Sequence, residues 1–269
     1  MPGDLTGPQY AVLSTLAAFP DADQQRVARL ASLDKSSAAD VVARLVRKAW
    51  IQRERSQEDA RRYTLSLTPA ASIALSSITP QVSAVQDALL APLPKTRRKA
   101  FVQELVAVAR RTTSELAGSR QSVYPVVELA APGHLIRCAQ QVHTTYWAEI
   151  MEGRLTGPQY AVLHVAARWP RINQTRLGEL AALDKNSTTD IANRLVRRGW
   201  LDRDKDPADG RGRILSLSKA AAQWLDDVHP RIELVQQRLL EPLSPAARTG
   251  FLRDLSRMAF EGNPPEAAT

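Results

Sequence analysis

The sequence is poor in cysteine, histidine and aromatic residues. Its 269 residues include one cysteine, Cys138, four histidines and 5% aromatic residues. A single cysteine excludes an internal disulfide framework and is typical of a reducing compartment. The scattered histidines form no metal-ligand motif, and the chain has no Gly-rich phosphate loop, nucleophile elbow or triad-like group of residues. We therefore expect a protein that is not an enzyme and uses no metal or other cofactor.

Long apolar runs are also missing, since none approaches the roughly 20 residues that a membrane-spanning helix needs. The first ten residues, MPGDLTGPQY, lack the basic and apolar segments of a signal peptide. We expect a cytoplasmic protein with no membrane partner. The net charge of +8 and the pI near 10.0 favour a polyanionic partner. Many basic proteins bind no nucleic acid, so the charge does not decide the question alone.

An internal repeat is the strongest feature of the chain. The nonapeptide LTGPQYAVL stands at residues 5–13 and again, letter for letter, at residues 155–163. The offset of 150 holds without a gap through Trp50 and Trp200, and on to Leu105 and Leu255. A match of this length indicates a duplication, so both halves are expected to share one fold.

Each copy carries the signals of three short helices followed by two strands. Thr6 is expected to cap the first helix with Gln9 at the capping-box position. A second helix is expected over about Gln24–Leu33, and Asp34 is expected to cap a third. Alternating residues at Ile51–Arg55 and Tyr63–Leu67 predict two strands. This order predicts a winged helix-turn-helix.

A long helix with heptad spacing is predicted after each wing. Apolar residues recur at steps of three and four from Leu75 to Leu89 and from Leu225 to Leu239. That spacing is typical of helices that pack lengthwise on a partner, here either the other copy or only the same domain. Pro80 and Pro230 predict a kink or a break at equivalent points.

The predicted fold class is mainly α with small β wings: tandem winged helix-turn-helix domains with a helical region of the dimerisation type. We assign residues 1–117 to copy 1, 118–132 to a linker, 133–262 to copy 2 and 263–269 to a disordered tail. A leading helix at about Gly133–Gly153 is expected in copy 2, and copy 1 has no equivalent in this sequence.

These residues resemble the multiple antibiotic resistance regulator (MarR) family of transcription factors. The resemblance rests on LTGPQYAVL, on RLVRRGWLDR at the end of the third helix of copy 2, and on an Asp-x-Arg pattern in each wing, at Asp59 and Asp209. It implies a DNA-binding winged helix that is usually a homodimer, with a small phenolic or other aromatic effector bound between the dimer interface and the DNA-binding lobes. It implies here a dimer fused into one chain, a monomer acting as an intramolecular pseudo-dimer.

Residues for DNA contact are expected on the third helix of each copy and on the wings. The partner is double-stranded DNA, read in the major groove by the helices and contacted by the wings at phosphates or in the minor groove. Ser36 and Ser37 have the alternative role of capping the helix, and Arg61 and Arg211 have that of pairing with Asp59 and Asp209. The predicted contacts are Lys35, Ser36, Ser37, Ala39, Arg44, Arg61, Arg62, Lys185, Asn186, Ser187, Thr189, Arg194, Arg211 and Arg213.

The two third helices differ, so an imperfect palindrome is predicted, with half-sites roughly 34 Å apart. An aromatic-rimmed effector cavity is predicted in copy 2, although aromatic residues on a helix face are often plain core. Its expected lining residues are His143, Tyr146, Trp147, Tyr160 and His164. Cys138 is a further hypothesis as a peroxide sensor, with Arg137 and His134 as its only charged or titratable neighbours in the sequence.

Three kinds of function fit these features. The first is a DNA-binding regulator, a repressor released by a small effector. The second is an architectural or DNA-bridging protein with tandem winged helices and no effector. The third is a winged-helix module that binds protein. Site-specific DNA binding and its release by a ligand would separate the first from the other two.

Overall fold

The computed structural model describes residues 5–55, 63–109, 131–206 and 212–260. These residues form a mainly helical protein with two small antiparallel sheets, as the sequence predicts. Within them, no helix is both long enough and apolar enough to span a bilayer.

Copy 1 follows the predicted order of a winged helix-turn-helix. Its elements are α1 (Gly7–Ala18), β1 (Ala22–Asp23), α2 (Gln24–Leu30), α3 (Lys35–Arg47), β2 (Ile51–Arg55), β3 (Tyr63–Leu67), α4 (Pro69–Leu89) and α5 (Lys95–Ala109).

Copy 2 begins with an additional helix, α6 (Pro132–Met151), and then repeats the same order. The repeated elements are α7 (Gly157–Arg168), β4 (Ile172–Asn173), α8 (Gln174–Leu180), α9 (Lys185–Arg197), β5 (Leu201–Lys205), β6 (Arg213–Leu217), α10 (Lys219–Leu240) and α11 (Pro245–Phe260). From α7 to β6 every boundary lies 150 positions after its counterpart, so the expectation of one fold in both halves is confirmed.

Local hydrogen bonds fix the starts of these helices where the sequence predicts them. The hydroxyl of Thr6 accepts from the amide of Gln9, while the side chain of Gln9 accepts from the amide of Thr6. Thr156 and Gln159 repeat this capping box. Each box satisfies amide groups that the first turn of a helix leaves without partners.

Each sheet has three strands, and the hairpin that forms the wing carries most of the pairing. In copy 1, β3 lies between β1 and β2, with Ile51 opposite Leu67 and Arg55 opposite Tyr63. In copy 2, β6 lies between β4 and β5 in the same register. Residues 56–62 and 207–211, between the two paired strands of each wing, lie outside the described residues.

The core of the first lobe joins α1, α3 and the sheet. Leu13, Leu45 and Leu65 are fully buried there, and Trp50 packs at the margin. Burial of one such leucine is worth about 1.5–3 kcal/mol relative to leaving it exposed. One face of the third helix is therefore packed into the core, and its other face is exposed to solvent.

One expectation about the helices is wrong, and a second is tested in part. Helix α2 stops at Leu30 rather than near Leu33, because Ser32 adopts a left-handed conformation with φ of 51°. The amide of Leu33 then donates to the carbonyl of Ala28, which closes the end of the helix. No break occurs at Pro80 or Pro230, since α4 and α10 run through both, and a kink at these prolines stays a prediction. One missing amide is outweighed by the remaining bonds of helices that have 21 and 22 residues.

The described residues up to 142, together with those from 242 onward, form one compact unit, and those from 143 to 241 form another. The first unit therefore includes α11 of copy 2 as well as the start of α6. These units describe packing and do not test the sequence boundaries at 117, 132 and 262, which stay predictions. Most of the predicted linker and the predicted tail lie outside the described residues.

Within the first unit, α5 and α11 pack through residues that are counterparts in the repeat. The rings of Phe101 and Phe251 stack with centroids 5.4 Å apart. Arg97 donates to Glu104 and to Asp254, which are also counterparts. These two ion pairs raise the pKa of Arg97, with the hydrogen bond to Glu104 as the largest cause.

Within the second unit, the second half of α6 is held against α10 by two arginines. Arg231 donates to the carbonyl of Ile150 at 3.1 Å, and Arg238 binds the carboxylate of Glu149 at 2.6 Å. The guanidinium of Arg238 also lies 4.3 Å from the ring centroid of Tyr146. Two kinds of contact, polar and aromatic, therefore hold this pair of helices together.

Candidate nucleic-acid interface and effector site

The third helix of copy 1, α3, begins with a cap made by the carboxylate of Asp34. That carboxylate accepts from the amides of Ser36 and Ser37 at 3.0 and 2.9 Å, and from both serine hydroxyls. The bond from the Ser37 hydroxyl is the main reason why the pKa of Asp34 falls to about 2. The capping role of Ser36 and Ser37 is therefore present in the structure, and DNA contact by them stays a prediction.

The third helix of copy 2, α9, has the same cap with different neighbours. Asp184 accepts from the amides of Asn186 and Ser187 and from the Ser187 hydroxyl, and this hydroxyl is the main cause of its lowered pKa. The hydroxyl of Thr189 donates to the carbonyl of Lys185 and accepts from the amide group of Gln174. Copy 2 has Asn186 where copy 1 has Ser36. Asparagine has no hydroxyl group, so only Ser187 donates a hydroxyl to the carboxylate of Asp184.

Both third helices have one buried face and one exposed basic face. Ala38, Val42 and Leu45 are buried on α3, as are Thr188, Ala192 and Leu195 on α9. The exposed predicted contacts are Lys35, Ser36, Arg44, Lys185, Asn186 and Arg194, and the half-buried ones are Ser37, Ala39, Ser187 and Thr189. A helix anchored on one side with cations on the other fits the major groove of a duplex.

The wings are described only in part. Arg213 is exposed at the start of β6 and donates to the carbonyl of Gly212. The other predicted wing residues, Arg61, Arg62 and Arg211, lie outside the described residues, as do Asp59 and Asp209. Arg53 on β2 was not anticipated from the sequence. Its guanidinium lies 4.1 Å from the ring centroid of Tyr63, so two wing strands share a basic and aromatic surface.

Four of the five residues predicted for an effector site form a continuous ladder of rings in the second unit. The ring centroids of His143 and Trp147 are 5.7 Å apart, those of Trp147 and Tyr160 5.4 Å, and those of Tyr160 and His164 5.5 Å. We call these four residues the ring ladder. Tyr146 is not part of it, because one residue along a helix turns the side chain by about 100° and places this tyrosine under Arg238.

Burial keeps the ladder uncharged at neutral pH. Burial lowers the pKa of His143, and burial followed by Arg168 and His229 lowers that of His164. Burial raises the pKa of Tyr160. The indole of Trp147 donates to the carbonyl of Leu155 at 2.6 Å, a structural role that fits plain core as well as a ligand site. The ladder offers flat apolar faces and neutral donors and acceptors, a surface suited to an aromatic ligand.

Cys138 belongs to α6, in the first unit, and its buried side chain faces the turn after α2. Its sulfur is 2.7 Å from the hydroxyl oxygen of Ser32 and 3.3 Å from Nε2 of His134. Burial, with a further contribution from Arg137, lowers the pKa of His134 to about 4. A neutral imidazole gives no electrostatic support to a thiolate, and the peroxide-sensor hypothesis stays a prediction.

Two further features were not anticipated from the sequence. Nη1 of Arg137 and Nδ1 of His134 are buried without a hydrogen-bond partner among the described residues. A cavity of about 310 Å³ lies in the first unit between α2, α3, the end of α5 and the start of α6. The cavity brings together side chains that are distant in sequence, so no local sequence pattern predicts it. In the same residues, no group of three His, Cys, Asp or Glu is placed to bind a metal ion.

Comparison with known proteins identifies relatives of both copies. MarR family models match residues 3–62 and residues 155–212. The transcriptional regulator HosA of Escherichia coli O111:H- is 32% identical over 125 residues, which cover 46% of this chain and 92% of that protein. The HTH-type transcriptional repressor NicR of Pseudomonas putida is 27% identical over 152 residues, covering 56% of this chain and 95% of that protein.

Solved structures show the same likeness over one half of the chain. The PcaV transcriptional regulator of Streptomyces coelicolor, in complex with its natural ligand, is 33% identical with a TM-score of 0.48, and covers 52% of this chain and 100% of that one. BpsR of Bordetella bronchiseptica, whose DNA binding is regulated by 6-hydroxynicotinic acid, is 26% identical with a TM-score of 0.45. It covers 47% of this chain and 97% of that one.

Proposed function

Because this chain belongs to the MarR family of transcriptional regulators, we propose that it is a repressor that binds one imperfect palindrome in double-stranded DNA. Its two third helices, α3 and α9, would serve as the recognition helices of one polypeptide. As a member of this family it is a DNA-binding winged-helix regulator and not an enzyme. The repressor role, the palindrome and the release by a ligand are the parts that we propose.

The observation that carries the proposal is that both recognition helices are intact but not identical. Each has an aspartate cap, a buried apolar face and an exposed arginine at equivalent positions, Arg44 and Arg194. The first turns differ where Ser36 is replaced by Asn186 and Ala39 by Thr189. Asparagine pairs with adenine through two hydrogen bonds, which serine does not do. Two similar but unequal half-sites follow from this difference.

The packing of α5 on α11 supports an intramolecular pseudo-dimer. In a symmetric dimer, a residue on the two-fold axis contacts its own copy. Phe101 and Phe251 are counterparts in the repeat, and they stack on each other. The chain would thus supply from one polypeptide the pair of DNA-binding lobes that a palindrome requires, with half-site centres roughly 34 Å apart.

Release by a small aromatic effector is supported by the ring ladder. His143, Trp147, Tyr160 and His164 present neutral rings on two adjacent helices of the second unit. NicR, which matches more than half of this chain, is named a repressor. A ligand inserted against the ladder would separate α6 from α7 and so move the start of copy 2.

The decisive test selects preferred sequences from random DNA duplexes and then repeats the selection after two substitutions in α9. Asn186→Ser with Thr189→Ala makes the exposed first turn of α9 identical to that of α3. We expect the wild type to select an imperfect palindrome and the double variant to select a more symmetric one. A footprint covering one half-site, or an unchanged preference in the variant, would contradict the proposal.

The salt dependence of binding gives a second measurement. Arg44→Ala and Arg194→Ala should each lower the slope of log K against log salt by about one if the arginine contacts a phosphate. Equal losses would indicate that both copies engage the duplex together.

Titration with aromatic acids, followed by tryptophan fluorescence and by release of the duplex, tests the effector, with Trp147→Phe as the control.

An architectural or DNA-bridging role without an effector is the alternative. It is favoured by the unequal recognition helices, because two independent sites can hold two duplexes. A single-molecule assay in which one chain joins two separate duplexes, with no release by any aromatic acid, would support it.

A further inference from the structure

A side-chain hydrogen bond joins the second and third helices of copy 2 at a position where copy 1 cannot form it. Nε2 of Gln174, the first residue of α8, donates to the hydroxyl oxygen of Thr189 at 3.2 Å. The same hydroxyl donates to the carbonyl of Lys185 at 2.8 Å. Thr189 is a predicted DNA contact and Gln174 is not, so this bond links a further residue to the candidate interface.

Close packing fixes the distance between these two helices. The hydroxyl oxygen of buried Thr188 lies 2.5 Å from the point where a Cβ on Gly178 would stand. Thr188 is itself held, because its hydroxyl donates to the carbonyl of Asp184 at 2.8 Å. Helices α8 and α9 therefore lie close together one residue before Thr189, where the side chain of Gln174 reaches the hydroxyl.

The two bonds of the Thr189 hydroxyl determine what it can still offer to a ligand. A hydroxyl group has one hydrogen to donate and two lone pairs that accept. In Thr189 the hydrogen is used by the carbonyl of Lys185, and one lone pair is used by the amide group of Gln174. The remaining lone pair can accept a hydrogen bond, but no hydrogen is left to donate.

We propose that Gln174 is a positioning residue for base recognition, which holds the Thr189 hydroxyl as an acceptor so that α9 prefers adenine or cytosine at the base that Thr189 meets. In the major groove adenine and cytosine each present an amino group that donates, whereas guanine and thymine present only acceptors. Asn186 precedes Thr189 by three residues on α9, so both side chains lie on one face of the helix. This role rests on the proposed function, in which α9 enters the major groove.

The repeat contains the matching arrangement without the bond. The counterpart of Gln174 is Gln24, the first residue of α2, and the counterpart of Thr189 is Ala39 on α3. The side chain of alanine has no atom that accepts a hydrogen bond. A glutamine at the start of the second helix therefore orients a base-reading hydroxyl in copy 2 only.

The test measures the affinity of the full chain for four duplexes that differ in one base pair. This base pair is the one in the half-site of copy 2 at which Thr189→Val, a substitution of similar shape, alters the selected sequence. We expect the wild type to bind adenine or cytosine there about fivefold better than guanine or thymine, as one net hydrogen bond allows. Gln174→Met keeps the length of the side chain but donates nothing, and it should reduce this ratio to about twofold or less.

The copy 1 counterparts supply matched controls. Gln24→Met should leave the four relative affinities unchanged, because α3 offers no hydroxyl at Ala39. Ala39→Thr should introduce the same base preference in the half-site of copy 1, and should not do so in combination with Gln24→Met. A purely structural role of Gln174 would lower the affinity for all four duplexes alike, and unchanged ratios in Gln174→Met would overturn the proposal.

The outcomes separate this role from the proposed function. A wild type that selects no preferred sequence would contradict both. A wild type that selects an imperfect palindrome, with the ratios unchanged in Gln174→Met, would contradict only the role of Gln174. The bond itself is checked without DNA, because Thr189→Val should shift the side-chain amide signals of Gln174 in ¹⁵N spectra of the free chain. The absence of that shift would also overturn the proposal.

Discussion

Helices α4 and α10 carry the same heptad pattern in two different environments. On α10, Val228, Ile232 and Val235 are buried, and Val235 has no exposed surface. On α4 the counterpart of Val235 is Val85, which is 63% exposed. The same apolar pattern therefore occurs twice in the chain. Its valine is buried in copy 2 and exposed in copy 1.

The residues around each valine account for the difference. Arg231, Val235 and Arg238 stand at spacings of four and three, so they share one face of α10. Both arginines hold α6, which places that helix over the valine. The counterparts of the arginines in copy 1 are Gln81 and Ala88, which have no charge. Copy 1 thus lacks these two arginines, and the contact of α4 with α6 is a different one, from the amide of Gly133 to the side-chain oxygen of Gln86 at 2.7 Å.

Substitution of the matched valines should separate the two environments most clearly. Val235→Asp places an unpaired carboxylate in a fully buried position and should lower the free energy of unfolding by more than about 4 kcal/mol. Val85→Asp is the matched control and should change it by less than about 0.5 kcal/mol, as surface substitutions usually do. Chemical denaturation followed by circular dichroism measures both. Similar losses would mean that Val85 is covered in solution.

The pH dependence of stability should show how much the burial of His134, at the start of α6 in the first unit, contributes. The pKa of buried His134 is lowered to about 4 from an ordinary value of 6.5. Above pH 6.5 its contribution is fully present. Between pH 6.5 and 4 the unfolded chain binds a proton that the folded chain does not, so stability falls as the pH falls. The loss should be on the order of 3 kcal/mol across that window.

The matched variant for this measurement is His134→Gln, which keeps a polar side chain but does not titrate. Thermal unfolding at pH 7.5, 6 and 5 should show a steeper loss in the wild type than in the variant. His143 and His164 also have lowered pKa values, so they remain as a common background in both proteins. Parallel curves for the two proteins would show that His134 is not held neutral.

What the sequence predicted well is determined by neighbours along the chain. The capping box of Thr6 and Gln9, the cap at Asp34 and the limits of the wing strands all depend on residues within a few positions. Such signals are strong because backbone groups at a helix start must find partners nearby. The end of α2 was misjudged because Ser32 adopts a left-handed turn that nothing in its composition requires.

What the sequence did not predict depends on contacts between distant segments. The cavity, the pairing of Cys138 with Ser32 and the stacking of Phe101 on Phe251 join residues more than a hundred positions apart. Of the aromatic residues of α6 predicted for an effector site, Tyr146 points to α10 instead of the ladder, and the effector site itself stays a prediction. Helical spacing gives the direction of a side chain and not the element that it meets.

The smallest expected effect concerns the arginine that holds α6 on α10. Arg238→Ala removes the stacking on buried Tyr146 and the ion pair with Glu149, in which both side chains are partly exposed. We expect a loss of about 1.5 kcal/mol, because a cation over an aromatic ring contributes about 1 kcal/mol and such an ion pair about 0.5 kcal/mol. Ala88→Arg, the reciprocal change in copy 1, should leave the free energy of unfolding within about 0.5 kcal/mol, since Ala88 is exposed. Urea denaturation at low and high salt separates the contribution of the ion pair from that of the stacking, because salt screens the ion pair more than the stacking. A gain of stability from Ala88→Arg would show that the new arginine finds a partner beside α4 in solution, and the contrast between the two seams would then be smaller than the structure indicates.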